Sequence, residues 1–332
     1  MAEHPGGATA QTAKYRAPMA VWDVVVVGAG ACGLTVARSV LDRHGSVLVI
    51  DKGSRPGGRL ASRKVDGYVV DTGCSSVQVS DPVVADLVQR WAGATFDTGV
   101  SNVDDGSGLL TWAFDAPANE VAARWAKGIE RTTGFVTHVE SEDDLATVVL
   151  DGSGERFSAR NVVITAPAPQ AAGIVIESGL TPPDVLDHLT YENELLLLAC
   201  VSSLGHRPRE VDSTMFAELR WGASGDASAP VVTARTHPTI AADTLGDDAT
   251  IVHGRLLVEL TRLLPGIRIE YSDLKRWRYA RPGSAPAGPG YCVVPDAEAL
   301  VIAGDALGNG TGAQGVERAV HSGLATVEHL SR

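Results

Sequence analysis

Apolar positions along the chain follow two periodicities, which predict alternating strands and helices. Val24 to Val27 is a short continuous apolar run, read as a strand, and Leu34 to Arg43 continues as a helix. Ser46 to Ile50 is a second apolar run that ends at Asp51. Asp81 and Pro82 open a helix through Trp91, with Asp81 as N-cap and Pro82 in the first helical position. Residues 93–116 read as short strands and loops, and a second proline-started helix runs from Pro117 to about Lys127, where Gly128 stops it. Phe135 to Val139, Ala146 to Leu150 and Val162 to Ala166 are predicted strands, with turns at Glu140–Asp144 and Asp151-Gly152. Ala166 to Gln170, with two prolines, reads as a sharp break and a crossover between domains.

Beyond it the pattern predicts a short helix over 184–190, a strand from Leu195 to Val201, and strand pieces near 213–219 and 230–236. Val252, Leu256, Leu260, Leu263 and Leu264 lie on one face of an amphipathic helix over 249–264, stopped by Pro265-Gly266. Asp273 to Pro282 alternates aromatic and basic residues, as a surface strand or an anion-binding one does. Leu300 to Ala303 is a final strand, and a helix from about Gly312 to Leu330 carries Val316, Val320, Leu324 and Val327 on one face.

Gly28, Gly30 and Gly33 stand at G-x-G-x-x-G spacing between the first strand and its helix. Such glycines serve a tight turn, close approach of a pyrophosphate, and close helix–strand packing. The helix N-terminus offers free N–H groups to phosphates, and Asp51 can accept hydrogen bonds from an adenosine ribose. With strand, helix and acid all in place, the pattern is a dinucleotide-binding one. A glycine-rich basic loop, Lys52 to Ser62, follows the acid, and its Arg59 can neutralise a pyrophosphate or present a donor to a bound ring.

The chain has 332 residues, long enough for one large domain or two ordinary ones. Its formal net charge of −12 argues against a nucleic-acid or anionic-membrane partner. No apolar run approaches the ~20 residues of a membrane helix. Residues 1–20 read as a disordered tail. Cys32, Cys74, Cys200 and Cys292 form no C-x-x-C pair, so free thiols in a reducing cytoplasm are expected.

Several stretches resemble the renalase-like FAD-dependent amine oxidoreductases, a branch of the flavin amine oxidase group. Val26 to Leu34 resembles their FAD fingerprint, Asp51-Lys52 with Gly57-Gly58-Arg59 their second motif, and Asp71-Thr72-Gly73 a further one. Ala166 to Gln170 and Arg276-Trp277-Arg278-Tyr279-Ala280 resemble segments of this branch, and Gly304-Asp305 with the helix after it resembles the C-terminal flavin motif. The matches run from about residue 22 to the end.

The resemblance implies an α/β fold: a Rossmann-type FAD-binding domain with an interleaved α+β substrate domain containing a mixed β-sheet. Residues 21–80, 117–170 and 295–332 would form the discontinuous FAD domain, and 81–116 with 171–294 the substrate domain. Gly28, Gly30 and Gly33 would hold the pyrophosphate of a noncovalent FAD, Asp51 its ribose, and Arg59 the pyrophosphate and flavin edge. Gly73 would approach the isoalloxazine, Asp305 the ribityl or pyrophosphate region, and Gln314 with Gly315 would face flavin N1 and O2. Cys32, Lys52, Gly58 and Val139 complete the expected cofactor-binding set.

The implied reaction is two-electron oxidation of a small amine-like or reduced-nicotinamide substrate by hydride transfer to flavin N5, with reoxidation by O2 or another acceptor. Arg59, Cys74, Trp277, Tyr279 and Asn309 are the candidates lining the flavin. Ala306 stands where the family often has Trp, and Asn309 to Gly312 is small and polar, a departure that suits a biosynthetic tailoring enzyme. The residues show no catalytic dyad and no metal-ligand spacing. An FAD-bound isomerase without net redox and a non-catalytic dinucleotide-binding protein are the alternatives.

Overall fold

A computed structural model describes residues 20–92, 110–114, 116–142, 145–202, 211–224, 226–309 and 315–332. The expected tail and Gln314 lie outside these residues. In chain order the elements begin with β1 (Trp22–Val27), α1 (Ala31–Asp42) and β2 (Val47–Asp51). Next come the β3 (Ser62–Val65) and β4 (Tyr68–Asp71) hairpin, β5 (Ser76–Val79), α2 (Pro82–Ala92), β6 (Leu110–Ala113), α3 (Ala118–Trp125) and β7 (Glu130–Thr133). They continue with β8 (Val136–Glu142), β9 (Leu145–Leu150), β10 (Arg156–Ile164), α4 (Ala168–Glu177), a 3-10 turn (Asp184–His188), β11 (Tyr191–Val201), β12 (Phe216–Trp221) and β13 (Val231–Thr236). The chain ends with α5 (Pro238–Thr244), α6 (Ala249–Leu263), β14 (Ile269–Pro282), β15 (Tyr291–Val294), β16 (Ala297–Ala303) and α7 (Val316–Leu330).

An eight-stranded mixed sheet runs in the order β15-β16-β10-β1-β2-β7, with β9 and β8 added at β10. The pairs β16–β10, β10–β1, β1–β2 and β2–β7 are parallel. The first apolar run is continuous because β1 is covered on both faces. Val24 and Val26 pack toward α1, α3 and α7, whereas Val25 and Val27 pack toward β8, β9 and α4. Each fully buried valine of this kind contributes about 1.5–3 kcal/mol. α7 lies against α1 at close range: a Cβ on Gly323 would stand 2.8 Å from Thr35 Cβ and 3.0 Å from the Cys32 carbonyl oxygen.

The four-stranded sheet, β12-β13-β11-β14, is antiparallel throughout. Alternation along β11 divides its two faces. Leu195, Leu197 and Ala199 pack under α6, and Leu196, Leu198 and Cys200 pack on Val65 and Val70 of the β3–β4 hairpin. The hairpin therefore joins this sheet to the nucleotide-side layer.

Several elements differ from the sequence reading. The break at Ala166 to Gln170 is a helix start, with Pro167 as N-cap of α4. α4 packs on the β8 side of the mixed sheet, and α2 packs with α3 and α7, so both lie with layers of that sheet. β15 also joins it, by antiparallel pairing with β16. Among the described residues no helix is long and apolar enough to cross a membrane.

Candidate functional site

The glycine turn is closed on two sides and open on the third. Gly28 has φ +113° and donates its N–H to the Ile50 carbonyl at 2.7 Å. A Cβ on Gly28 would lie 2.5 Å from Thr165 Oγ1, and one on Gly33 would lie 2.0 Å from the Gly28 carbonyl oxygen. Gly30 has extended backbone, and a Cβ there would meet nothing within 4 Å. Among the described residues no side chain caps the start of α1 at Gly30, which leaves its first amides without a side-chain acceptor. Cys32 is buried behind the turn, and burial pushes its thiol up to about 12.

Asp51 closes the turn from below. Its Oδ2 accepts the Ala29 N–H at 2.7 Å and its Oδ1 accepts the Gly53 N–H at 2.6 Å. Gly57 donates to the Ala29 carbonyl at 2.7 Å, and Gly58, at φ +56°, lies against Gly30. Lys52 is exposed. Val139 is a buried core residue whose N–H donates to Ser178 Oγ at 2.8 Å. The segment that reaches Asp51 comes earlier, where the Gly134 N–H donates to the Asp51 carbonyl at 2.9 Å.

At the C-terminal end of β16, Asp305 is 4% exposed, and its Oδ1 accepts from Arg59 Nη2 at 2.6 Å. Its Oδ2 is buried and has no hydrogen-bond partner among the described residues. Arg59 also donates from Nη1 to the Ala280 carbonyl at 3.2 Å. Burial works against the Arg59 charge, but the Asp305 carboxylate overcomes it and holds the guanidinium above its ordinary range. Gly73 packs on Arg59 so closely that a Cβ would lie 1.9 Å from the Arg59 carbonyl oxygen. Ser322 Oγ donates to the Gly290 carbonyl at 2.7 Å and accepts the Gly304 N–H at 2.8 Å, which pins the residue before Asp305.

Beside this pair a narrow cleft is lined by Arg59, Thr165, Pro167, Tyr191, Asp305 and Leu307 among others. Tyr191 stands edge-on to Tyr279 at 5.2 Å, and its hydroxyl oxygen accepts the Ala168 N–H at 2.9 Å. Burial raises the Tyr191 hydroxyl, and it raises the Cys74 thiol too, so both keep their protons. Trp277 donates from Nε1 to the Thr72 carbonyl at 2.5 Å and carries Lys275 Nζ 4.0 Å over its ring. Arg59, Cys74, Trp277 and Tyr279 thus gather around the Thr72–Cys74 stretch and Asp305.

Asn309 is exposed and donates to the Gly288 carbonyl, while Ala306 is buried and accepts from Arg318 Nη2 through its carbonyl. Gly315 caps α7 at φ +65°. Thr165, Tyr191 and Ser322 escaped the sequence reading, since none stands in a motif. Among the described residues no group of three His, Cys, Asp or Glu side chains is placed to hold a metal ion.

The NAD(P)-binding Rossmann-like domain family matches residues 26–91. Over 66 residues the chain is 44% identical to chloroplastic protoporphyrinogen oxidase of Oryza sativa subsp. japonica, covering 19% of this chain and 12% of that protein. Over 56 residues it is 45% identical to hydroxyneurosporene desaturase of Rubrivivax gelatinosus, covering 17% of this chain and 11% of that protein. The matched stretch thus spans only about an eighth of these relatives. Wild-type putrescine oxidase bound to putrescine superposes with a TM-score of 0.65 at 15% identity, covering 95% of this chain and 100% of that one. A double-mutant form of the same oxidase gives a TM-score of 0.66 at 15% identity, with 95% and 100% covered. The chain has the Rossmann-like α/β fold with a mixed sheet, and it matches the flavin amine oxidase fold.

Proposed function

We propose that the chain is an FAD-dependent oxidoreductase of the amine oxidase type, renalase-like in its substrate domain. Its substrate is a small amine-like or reduced-nicotinamide compound, and its electrons pass to O2 or another acceptor. The observation that carries this reading is Asp305: a buried carboxylate, half paired with Arg59, with its second oxygen lacking a partner among the described residues. A buried acceptor left without a partner costs about 1–3 kcal/mol, more for a charged one, and a ribityl hydroxyl donating to it offsets that cost. The opening at Gly30, with the free amides of α1, fits a pyrophosphate, and Asp51 fits a ribose at the far end.

When bound, FAD would supply the two-electron chemistry. The chain's own residues bind and orient. Arg59 stays charged and offsets negative charge on the cofactor. The N-terminal end of α7, capped by Gly315, favours negative charge through the helix dipole. Tyr191, Tyr279 and Trp277 wall the site with apolar ring surface and exclude water. A reducing, cytoplasmic compartment suits the four free cysteines.

The test is anaerobic mixing of the purified protein with dihydronicotinamide isomers and small secondary or aromatic amines. The reading expects one of them to bleach the oxidised flavin band in a single two-electron phase, with colour restored by O2 or an added acceptor. Product formation without any flavin reduction moves the protein to an isomerase and overturns the reading.

A further inference from the structure

The four-stranded sheet presents a charged patch to the Thr72–Ser75 stretch. Cross-strand partners share a face, and Arg235 is opposite both Leu196 and Glu218, while Arg220 is opposite Thr233. Leu196 and Leu198 of this face pack on the β3–β4 hairpin, and Trp277 lies on the same face opposite Glu194. Arg220 therefore points toward the hairpin side, and its Nη1 donates to Ser75 Oγ at 2.9 Å. Ser75 is two residues past Gly73, on the stretch that packs on Arg59.

Among the described residues the charges here do not balance. Glu194 is shared, with Oε2 3.1 Å from Arg235 Nη1 and 3.2 Å from Arg281 Nη2. Glu218 lies 3.3 Å from Arg235 Nε and 3.5 Å from Arg220 Nε, at ion-pair range but without hydrogen-bond geometry. Among the described residues three guanidinium groups thus meet two carboxylates. Nε and Nη2 of Arg220 and Nε of Arg235 are buried with no hydrogen-bond partner among the described residues. Burial, foremost, draws Arg235 below its ordinary range, and Arg220 and Arg281 add to that against Glu194 and Glu218. Buried, unpartnered guanidinium donors are costly, and a planar oxoanion satisfies them in pairs.

The structure assigns Arg220, supported by Arg235, as the seat of an oxoanion carried by the substrate, a carboxylate or a phosphate, held over the Thr72–Ser75 stretch. This rests on the oxidoreductase reading for what happens to the substrate, but not for the anion itself. The substrate class is then an acidic one: an amine with a carboxylate, or a nicotinamide with its phosphate. A neutral or purely cationic amine leaves these donors unpaired.

The test is calorimetric titration of the full-length protein with benzoate, phenyl phosphate and neutral benzamide. At least one anion should bind tenfold or more tighter than benzamide. A tighter phenyl phosphate points to a phosphate-bearing substrate, and a tighter benzoate to a carboxylate-bearing one. Arg220→Gln should lower the affinity for the preferred anion by about ten- to a hundredfold and leave benzamide unchanged. Glu218→Gln removes a competing carboxylate and should tighten the anion, which keeps the test alive if Arg220→Gln does not fold. Anions that bind no better than benzamide, or that ignore both substitutions, overturn the assignment. Protein that takes up no added FAD but still binds the anion through Arg220 retires the oxidoreductase reading alone. Flavin-loaded protein indifferent to the anion retires this one alone.

Discussion

Arg59 and Asp305, 246 residues apart in sequence, meet at 2.6 Å and tie the loop after β2 to the end of β16. Their side chains are unequally buried, at 34% and 5% exposure. Arg59→Met leaves a buried carboxylate without its counter-charge and should cost about 3 kcal/mol of stability. Asp305→Asn leaves a guanidinium that water still reaches and should cost about 1.5 kcal/mol. Urea unfolding of the cofactor-free proteins checks the order, and a larger loss in Asp305→Asn contradicts it.

Gly30 and Gly33 make a contrasting pair. A methyl group on Gly30 meets nothing within 4 Å, so Gly30→Ala should leave cofactor-free stability within about 0.5 kcal/mol. It should nonetheless abolish dinucleotide binding, because the methyl group projects into the space we propose for the pyrophosphate. A methyl group on Gly33 would stand 2.0 Å from a backbone carbonyl that cannot move aside, so Gly33→Ala should cost about 3 kcal/mol or more. Thermal unfolding with a cofactor-binding assay separates the two, and a Gly30→Ala protein that binds normally contradicts the placement of the phosphates.

Asp51 bonds two backbone amides, at Ala29 and Gly53, and is the residue we propose for the ribose. Asp51→Ala should weaken FAD about ten- to a hundredfold, the value of one charge-assisted hydrogen bond. Fluorescence titration of the cofactor-free protein measures this. Unchanged affinity in a folded variant removes Asp51 from the ribose site.

Away from the site, Glu259 on α6 accepts from Arg262 and Ser213, and Arg262 foremost holds its carboxyl down at about 2 against an ordinary 4.5. The unfolded chain takes up the proton near the ordinary value and the folded chain only near the lower one. The stabilisation is therefore complete above about pH 5 and is lost as pH falls toward 2. Arg262 is well exposed, so solvent screening limits the effect to about 1 kcal/mol. Glu259→Gln should flatten the acid limb of the stability curve by that amount, and an unchanged limb contradicts the pairing.

What was legible in the sequence was local. Glycine spacing, an acid at a strand end and proline-started helices each act within a few residues. β1, α1, β2, α2, α3 and α6 follow from those signals. β7 escaped because Glu130 to Thr133 is a polar, largely exposed edge strand with no apolar run. β15 is only four residues long, and α5 only seven, without a full apolar stripe. In the sequence Pro167 and Pro169 have the look of a break, although the same residue type starts helices elsewhere in this chain. Contacts between distant segments left no trace in the sequence. The Glu317 carboxylate accepts the Ser80 and Asp81 N–H groups ahead of α2, and Arg220 reaches Ser75 from another sheet.

The most direct test of the account is the identity of the bound cofactor. The purified protein should be yellow, and acid precipitation should release FAD into the supernatant in a ratio of about one per chain, leaving a colourless pellet. A supernatant holding NAD in place of FAD, a colourless protein that takes up no added FAD, or colour that stays in the pellet would contradict noncovalent FAD in this cradle.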